Sequence, residues 1–143
     1  MLASLARGAR GRGVTLGLEI CNRYETNVVI HLDTYHMNIE EDDLVRPVHE
    51  VGGRLGYVHV GENHRGLLGS GHIDFTAFFH ALADIAYRGP ITFESFASAV
   101  VAPDLSNNLA IWRGMWSDGE RLAAHARQFL VSQLNVPLPA HAA

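Results

Sequence analysis

The sequence predicts an α/β fold in which a parallel sheet is flanked by helices. Four apolar runs read as strands: Val14–Cys21, Val28–Asp33, Leu55–Val60 and Ile91–Phe96. All are rich in β-branched or aromatic residues and nearly continuous in hydrophobicity, as strands covered on both faces are. Helical patterns follow three of them, so strand and helix alternate from the second run onward, the order of a parallel sheet. In such folds the ligand site lies at the carboxyl ends of the strands.

The elements follow in chain order. Residues 1–13, "MLASLARGARGRG", are basic and acid-free, the composition of a transit peptide. We read them as a helix remnant followed by a Gly/Arg turn. Residues 14–134 then form one body and residues 135–143, "NVPLPAHAA", a flexible tail. Asn38 is placed to cap a helix over "IEEDDLVRPVHEV", whose acidic first turn suits a helix N-terminus and whose Pro47 kinks or restarts it. Asp74 is placed to cap "FTAFFHALADIAYRG". There Phe75, Phe78, Phe79, Leu82, Ile85 and Ala86 make one apolar stripe, and Gly89-Pro90 supplies the stop. Leu105–Trp116 reads as a third helix. Ser117 and Glu120 have the capping-box spacing for a fourth, ending near Leu134.

Composition narrows the function. The chain has 143 residues, 48% hydrophobic and 18% charged, enough for one domain with a real core. A formal charge of −4 without basic runs argues against nucleic acid and membrane surfaces as partners. All 11 basic residues are Arg, which excludes a Schiff-base or P-loop lysine; "GLLGSGHIDF" also lacks the GK[ST] of a P-loop. The single Cys21 excludes an internal disulfide and a thiolate zinc cluster, and its apolar strand suits a buried thiol. No apolar run reaches the roughly 18 residues of a membrane span, and we expect a cytoplasmic protein.

Each strand run carries a metal-favouring group near its end: Glu19 in "LGLEIC", Asp33 in "VVIHLD", His59 in "YVHVGE" and Glu94 in "ITFESF". One acid at a strand end is more often a loop cap than a ligand. An ionised carboxylate on an apolar strand is nevertheless costly unless paired, hydrogen-bonded or metal-bound, and four strands share the pattern. Three carboxylates and one imidazole form a mostly hard, oxygen-rich set that suits Mn²⁺, Mg²⁺ or Co²⁺. A second polar tier, Glu25, His36, Glu62 and Arg65, follows the strands and is expected to face a polyhydroxylated or anionic small molecule. His31, inside its strand, is read as structural.

The segments "LEICNRYE", "HLDTYHMNIEE", "HVGENHR", "GPITFESF" and "IWRGMW" resemble the sugar isomerase/epimerase family with a xylose-isomerase-like TIM barrel, ketose 3-epimerases in particular. The resemblance runs from Val14 to about Leu130. The "LDTYHMNIEE" block and the spacing of His59 and Arg65 carry most of it. It implies a partial (β/α)8 barrel comprising the last four strands. By resemblance, Glu19, Asp33, His59 and Glu94 are metal ligands, Glu19 and Glu94 are also the two acid/base groups, and Glu25, His36 and Arg65 contact the substrate. The implied cofactor is a divalent metal, Mn²⁺ first, with Mg²⁺ or Co²⁺ as alternatives. The implied reaction is proton transfer at C3 of an open-chain ketose through an enediolate. Hydroxypyruvate isomerases and inosose dehydratases share the fold and are alternatives. A further alternative, of another class, is a catalytically impaired truncated barrel serving as a binding or assembly module.

Two departures from the family carry expectations. Only the last four strands have counterparts, so two sheet edges lie open and a homo-oligomer is expected to cover them. The family's helix between the Glu19 and Asp33 strands is also missing. The six residues Asn22–Asn27 are too few for a parallel crossover. The first run is therefore expected either to pair antiparallel as a hairpin or to leave the sheet. A hairpin would place Glu19 on the order of 15 Å from Asp33. Asp33, His59 and Glu94 are expected to converge without it.

Overall fold

The computed structural model describes residues 2–12, 16–18 and 28–134. Its centre is a four-stranded sheet in the order β1-β2-β3-β4, every neighbouring pair parallel. The strands are β1 (Leu16–Leu18), β2 (Val28–Asp33), β3 (Leu55–Val60) and β4 (Ile91–Phe93). The helices are α1 (Leu2–Arg10), α2 (Thr34–Glu40), α3 (Val45–Val51), α4 (Phe75–Asp84), α5 (Pro103–Asn108) and α6 (Gly119–Leu134), and a 3-10 turn over Gly52–Arg54 leads into β3.

The first strand corrects the sequence reading. It is neither a hairpin partner nor outside the sheet: Leu16, Gly17 and Leu18 pair in parallel with Val28, Val29 and Ile30. Nine positions, 19–27, lie in the sequence between the described strand and β2. Only two registered pairs separate Leu18 from the level of Leu16 and Val28, a short return that nine residues can span at about 3.3 Å each. Cys21 and the tail from residue 135 lie outside the described residues.

Alternation along the strands divides the sheet into two faces. Leu32, Val58 and Val60 are buried and join Val48, Phe78, Phe79 and Leu82 in one apolar core beneath α3, α4 and α6. His31, Asp33, Tyr57 and His59 alternate with them and take the other face. Between Ile30 and His31 the register slips. Ile30 pairs with Leu55 and His31 with Tyr57, so the ladder steps over Gly56. A Cβ at Gly56 would lie 2.3 Å from Cγ2 and 2.5 Å from Cβ of Val29 on the adjacent strand. Gly56→Ala is accordingly expected to cost about 1–3 kcal/mol, read as a lower urea midpoint at an unchanged slope.

The helix starts differ from the sequence reading in an informative way. Asp74 does cap α4, accepting from Ala77 N at 3.0 Å. Asn38, however, lies inside α2, whose cap is Asp33, the last residue of β2. The chain turns from strand to helix with no loop, and the next helix, α3, starts afresh after Asp43, whose carboxylate accepts from Val45 N and Arg46 N. At α6 the side chain accepting from the first turn is Asp118, bonded to Arg121 N, not Ser117. The helix expected over Leu105–Trp116 spans only Pro103–Asn108. Ala110 turns left-handed (φ 52°), Ile111 is buried with its N–H on Ser106 O, and the chain runs on non-helically to Trp116.

Candidate metal centre at the carboxyl ends of the strands

Asp33 and His59 are registered partners at the ends of β2 and β3, and Glu94 follows β4, its N–H bonded to Val60 O. Three parallel strands of near-equal reach therefore bring three polar side chains to one level. Thr34 fixes that level. Its buried hydroxyl donates to Gly61 O at 2.7 Å and accepts from Gly61 N at 2.9 Å, tying the exit of β2 to the exit of β3.

One ligand atom from each of Asp33, His59 and Glu94 lies within 4.8 Å of the other two. His59 Nδ1 is 3.5 Å from Asp33 Oδ2 and 3.2 Å from Glu94 Oε2. The outer oxygens are already committed. Asp33 Oδ1 accepts from Tyr35 N at 2.8 Å, and Glu94 Oε1 accepts from Arg65 Nη1 at 3.0 Å. Asp33 Oδ2 and His59 Nδ1 are buried and make no hydrogen bond. A buried carboxylate oxygen facing a ring nitrogen without a hydrogen bond is costly. A cation between the three groups would satisfy both atoms, and one imidazole with two carboxylates is a donor set that Mn²⁺, Mg²⁺ or Co²⁺ accepts. The residues fit a divalent metal.

The remaining sequence candidates divide. Arg65 reaches the centre. It is 9% exposed, its guanidinium carbon stands 3.7 Å above the Tyr35 ring centroid, and it holds Glu94. His36 lies on α2 with its ring edge-on to Tyr35 at 5.3 Å, outside the converging set. Glu62 corrects its reading as a ligand-facing group. It is fully buried, and its carboxylate accepts from Asn63 N and Gly69 N, so it organises the loop after β3. Glu19 and Glu25 lie outside the described residues.

Other neighbours of the site were not singled out from sequence. His31, read as structural, packs edge-on against His59 with ring centroids 4.2 Å apart. Tyr57 lies 5.0 Å from His31 and shares a 2.6 Å hydrogen bond with Thr92. His31, Tyr57 and Thr92 each sit two residues before Asp33, His59 and Glu94. The period of two was therefore the available signal for a layer directly beneath the site. Beside the centre, Tyr35, Asn63, His64, Arg65, Trp112 and Arg113 help line an open cavity of about 320 Å³.

Residues 17–133 match the family model described as the xylose isomerase-like TIM barrel. The chain belongs to the xylose isomerase-like TIM barrel family. It is 49% identical to an L-ribulose 3-epimerase of Methylomonas sp. (strain DH-1), covering 88% of this chain and 51% of that protein. It is 49% identical to a ketose 3-epimerase of Arthrobacter globiformis, covering 91% and 52%. Among solved structures, a D-allulose 3-epimerase from Methylomonas sp. in complex with D-allulose superposes with a TM-score of 0.84 at 47% identity, over 92% of this chain and 52% of that one. The chain thus spans about half the length of the relatives it matches, and its parallel sheet with helices is a partial barrel of this family. The first alignment runs over 145 positions but takes in about 126 residues here (88% of 143), so about 19 positions (145 − 126) lack a counterpart in this chain. Among the described residues no helix is long and apolar enough to cross a membrane.

Proposed function

We propose that this chain carries the metal-binding half of a divalent metal-dependent sugar epimerase that moves a proton at C3 of a ketose or a related keto-sugar. The carrying observation is the convergence of Asp33, His59 and Glu94 within 4.8 Å, with two buried ligand atoms that make no hydrogen bond. These three residues would hold the ion, with Mn²⁺ the first candidate. When bound, it supplies Lewis-acid polarisation of the sugar carbonyl. Glu94 is the acid/base group on this side, held by Arg65 at Oε1 so that Oε2 faces the centre. Arg65 and His36, beside the strand ends, would contact the sugar oxygens. Glu19 and Glu25 enter on their place in the sequence. Glu19 directly follows β1, which runs parallel to β2, so a hairpin no longer sets it apart from Asp33. Glu19 would be the fourth ligand and the second acid/base group, and Glu25 a further substrate contact.

The relatives support the substrate class. Besides the ketose 3-epimerases, a 3-dehydro-D-guloside 4-epimerase of Escherichia coli (strain K12) is 35% identical over 112 residues. A second copy of the chain covering the open sheet edges belongs to this proposal, as does a cytoplasmic setting. The test is conversion of a ketohexose or ketopentose to its C3 epimer by the purified chain. Turnover with added Mn²⁺ that stops on chelation is the expected result. A folded, Mn²⁺-loaded chain without turnover would instead favour the truncated barrel as a binding or assembly module.

A further inference from the structure

Three non-glycine residues among those described have a left-handed backbone: Arg65 (φ 59°), Ala86 (φ 52°) and Ala110 (φ 52°). Ala86 and Ala110 each follow the C-cap of a helix, α4 and α5, where that conformation is common. Arg65 ends no helix. It lies in the loop after β3, and a bulky residue held there signals a constraint at a functional place.

The constraint can be named. Ser95 Oγ donates a short hydrogen bond to the Arg65 carbonyl, and Trp116 Nε1 donates to Ser95 Oγ at 2.7 Å. An indole N–H can only donate, whereas a hydroxyl has one hydrogen and two lone pairs. Trp116 therefore occupies an acceptor site of Ser95 and leaves the hydroxyl hydrogen for Arg65. Beyond the backbone, the guanidinium lies over the rings of Tyr35 (3.7 Å) and Phe96 (5.0 Å), and its Nη1 ends on Glu94. Glu94, Ser95 and Phe96 are consecutive, so one tripeptide grips Arg65 at its tip, its carbonyl and its flank. Trp116 reaches Ser95 because the segment after α5 is not helical. Ser98 N bonds Arg113 O and draws that segment along the exit of β4.

We propose that Ser95 and Trp116 are positioning residues that act through Arg65 to fix the orientation of the Glu94 carboxylate, one oxygen on Arg65 and the other toward His59. With Arg65 locked on Oε1, Oε2 is the atom left toward His59 Nδ1. The inference rests on the reading of Glu94 as ligand and acid/base group.

The test measures kcat and calorimetric Mn²⁺ affinity for Ser95→Ala, Trp116→Phe and Arg65→Ala, and for each of the first two combined with Arg65→Ala. Ser95→Ala and Trp116→Phe are each expected to lower kcat and to weaken Mn²⁺ binding about ten-fold, the low end of the range for outer-shell partners of metal ligands. Ser95→Thr, which keeps a hydroxyl, is expected to restore both. With Arg65 already Ala, neither substitution should reduce kcat or affinity further, because groups in one network are non-additive. A role in packing alone would lower both to the same degree in either background, and that result overturns the inference. So do variants that match a Mn²⁺-binding, active wild type, which leave the functional reading standing. A folded wild type that binds no Mn²⁺ removes both readings.

Discussion

Glu94→Gln is expected to leave the chain folded and to lower C3 epimerisation by about 10²–10⁴-fold, the range for loss of a positioned acid/base group. The substitution is nearly isosteric, and the amide oxygen can still accept the bond from Arg65 Nη1 now made by Oε1. What disappears is the second carboxylate oxygen, the one 3.2 Å from His59 Nδ1. Turnover of a ketose with saturating Mn²⁺ gives the rate, and an unchanged circular dichroism spectrum reports the fold. A fall smaller than about ten-fold would mean that the proton is carried elsewhere.

The largest effect on stability is expected from Phe78→Ala, at about 3–5 kcal/mol. Phe78 is fully buried on α4, within the cluster that contains Val58, Val60 and Leu82. Truncating a ring there removes its burial and leaves a cavity that neighbouring side chains fill only in part. Domains of this kind hold some 5–15 kcal/mol in total, so the loss is a large share. Val58 and Val60 flank His59 on β3, which makes this core the support of the site as well. A urea titration of the metal-free chain is expected to show a midpoint far below wild type. A variant within about 1 kcal/mol of wild type would contradict this packing of α4 on the sheet.

The sequence was most legible where one force dominates. β2 and β3 have the bounds read from their runs, because the residues that face the helical layer, Leu32, Val58 and Val60 among them, must be apolar to join the core. β4 stops at Phe93 rather than Phe96: Glu94 N still bonds Val60 O, and Glu94, Ser95 and Phe96 all engage Arg65 beyond the strand. Asp33, His59 and Glu94 were singled out because a polar group ending an apolar strand needs a partner, and the fold brings one ligand atom of each within 4.8 Å of the others. Helix starts were less legible. Asn38 and Ser117 are good caps by type, but Asp33 and Asp118 are good caps too, and the end of β2 decides the first choice. Glu62 was misread because its partners, Asn63 N and Gly69 N, belong to a loop whose closure no local pattern announces. The bonds from Trp116 to Ser95 and from Ser95 to Arg65 span 21 and 30 positions, so only the folded chain reveals them. The direction of β1 was missed because the usual length of a parallel crossover is not a requirement: Leu16–Leu18 pairs in parallel with Val28–Ile30.

The central claim is that Asp33, His59 and Glu94 together hold a divalent cation. Mn²⁺ titration followed by electron paramagnetic resonance, which counts bound and free ion directly, tests it in wild type and in His59→Ala. The expected result is one ion per chain in wild type and an affinity lower by at least about ten-fold in the variant, whose fold circular dichroism confirms. Equal Mn²⁺ binding by the two proteins, or none by a folded wild type, would contradict it.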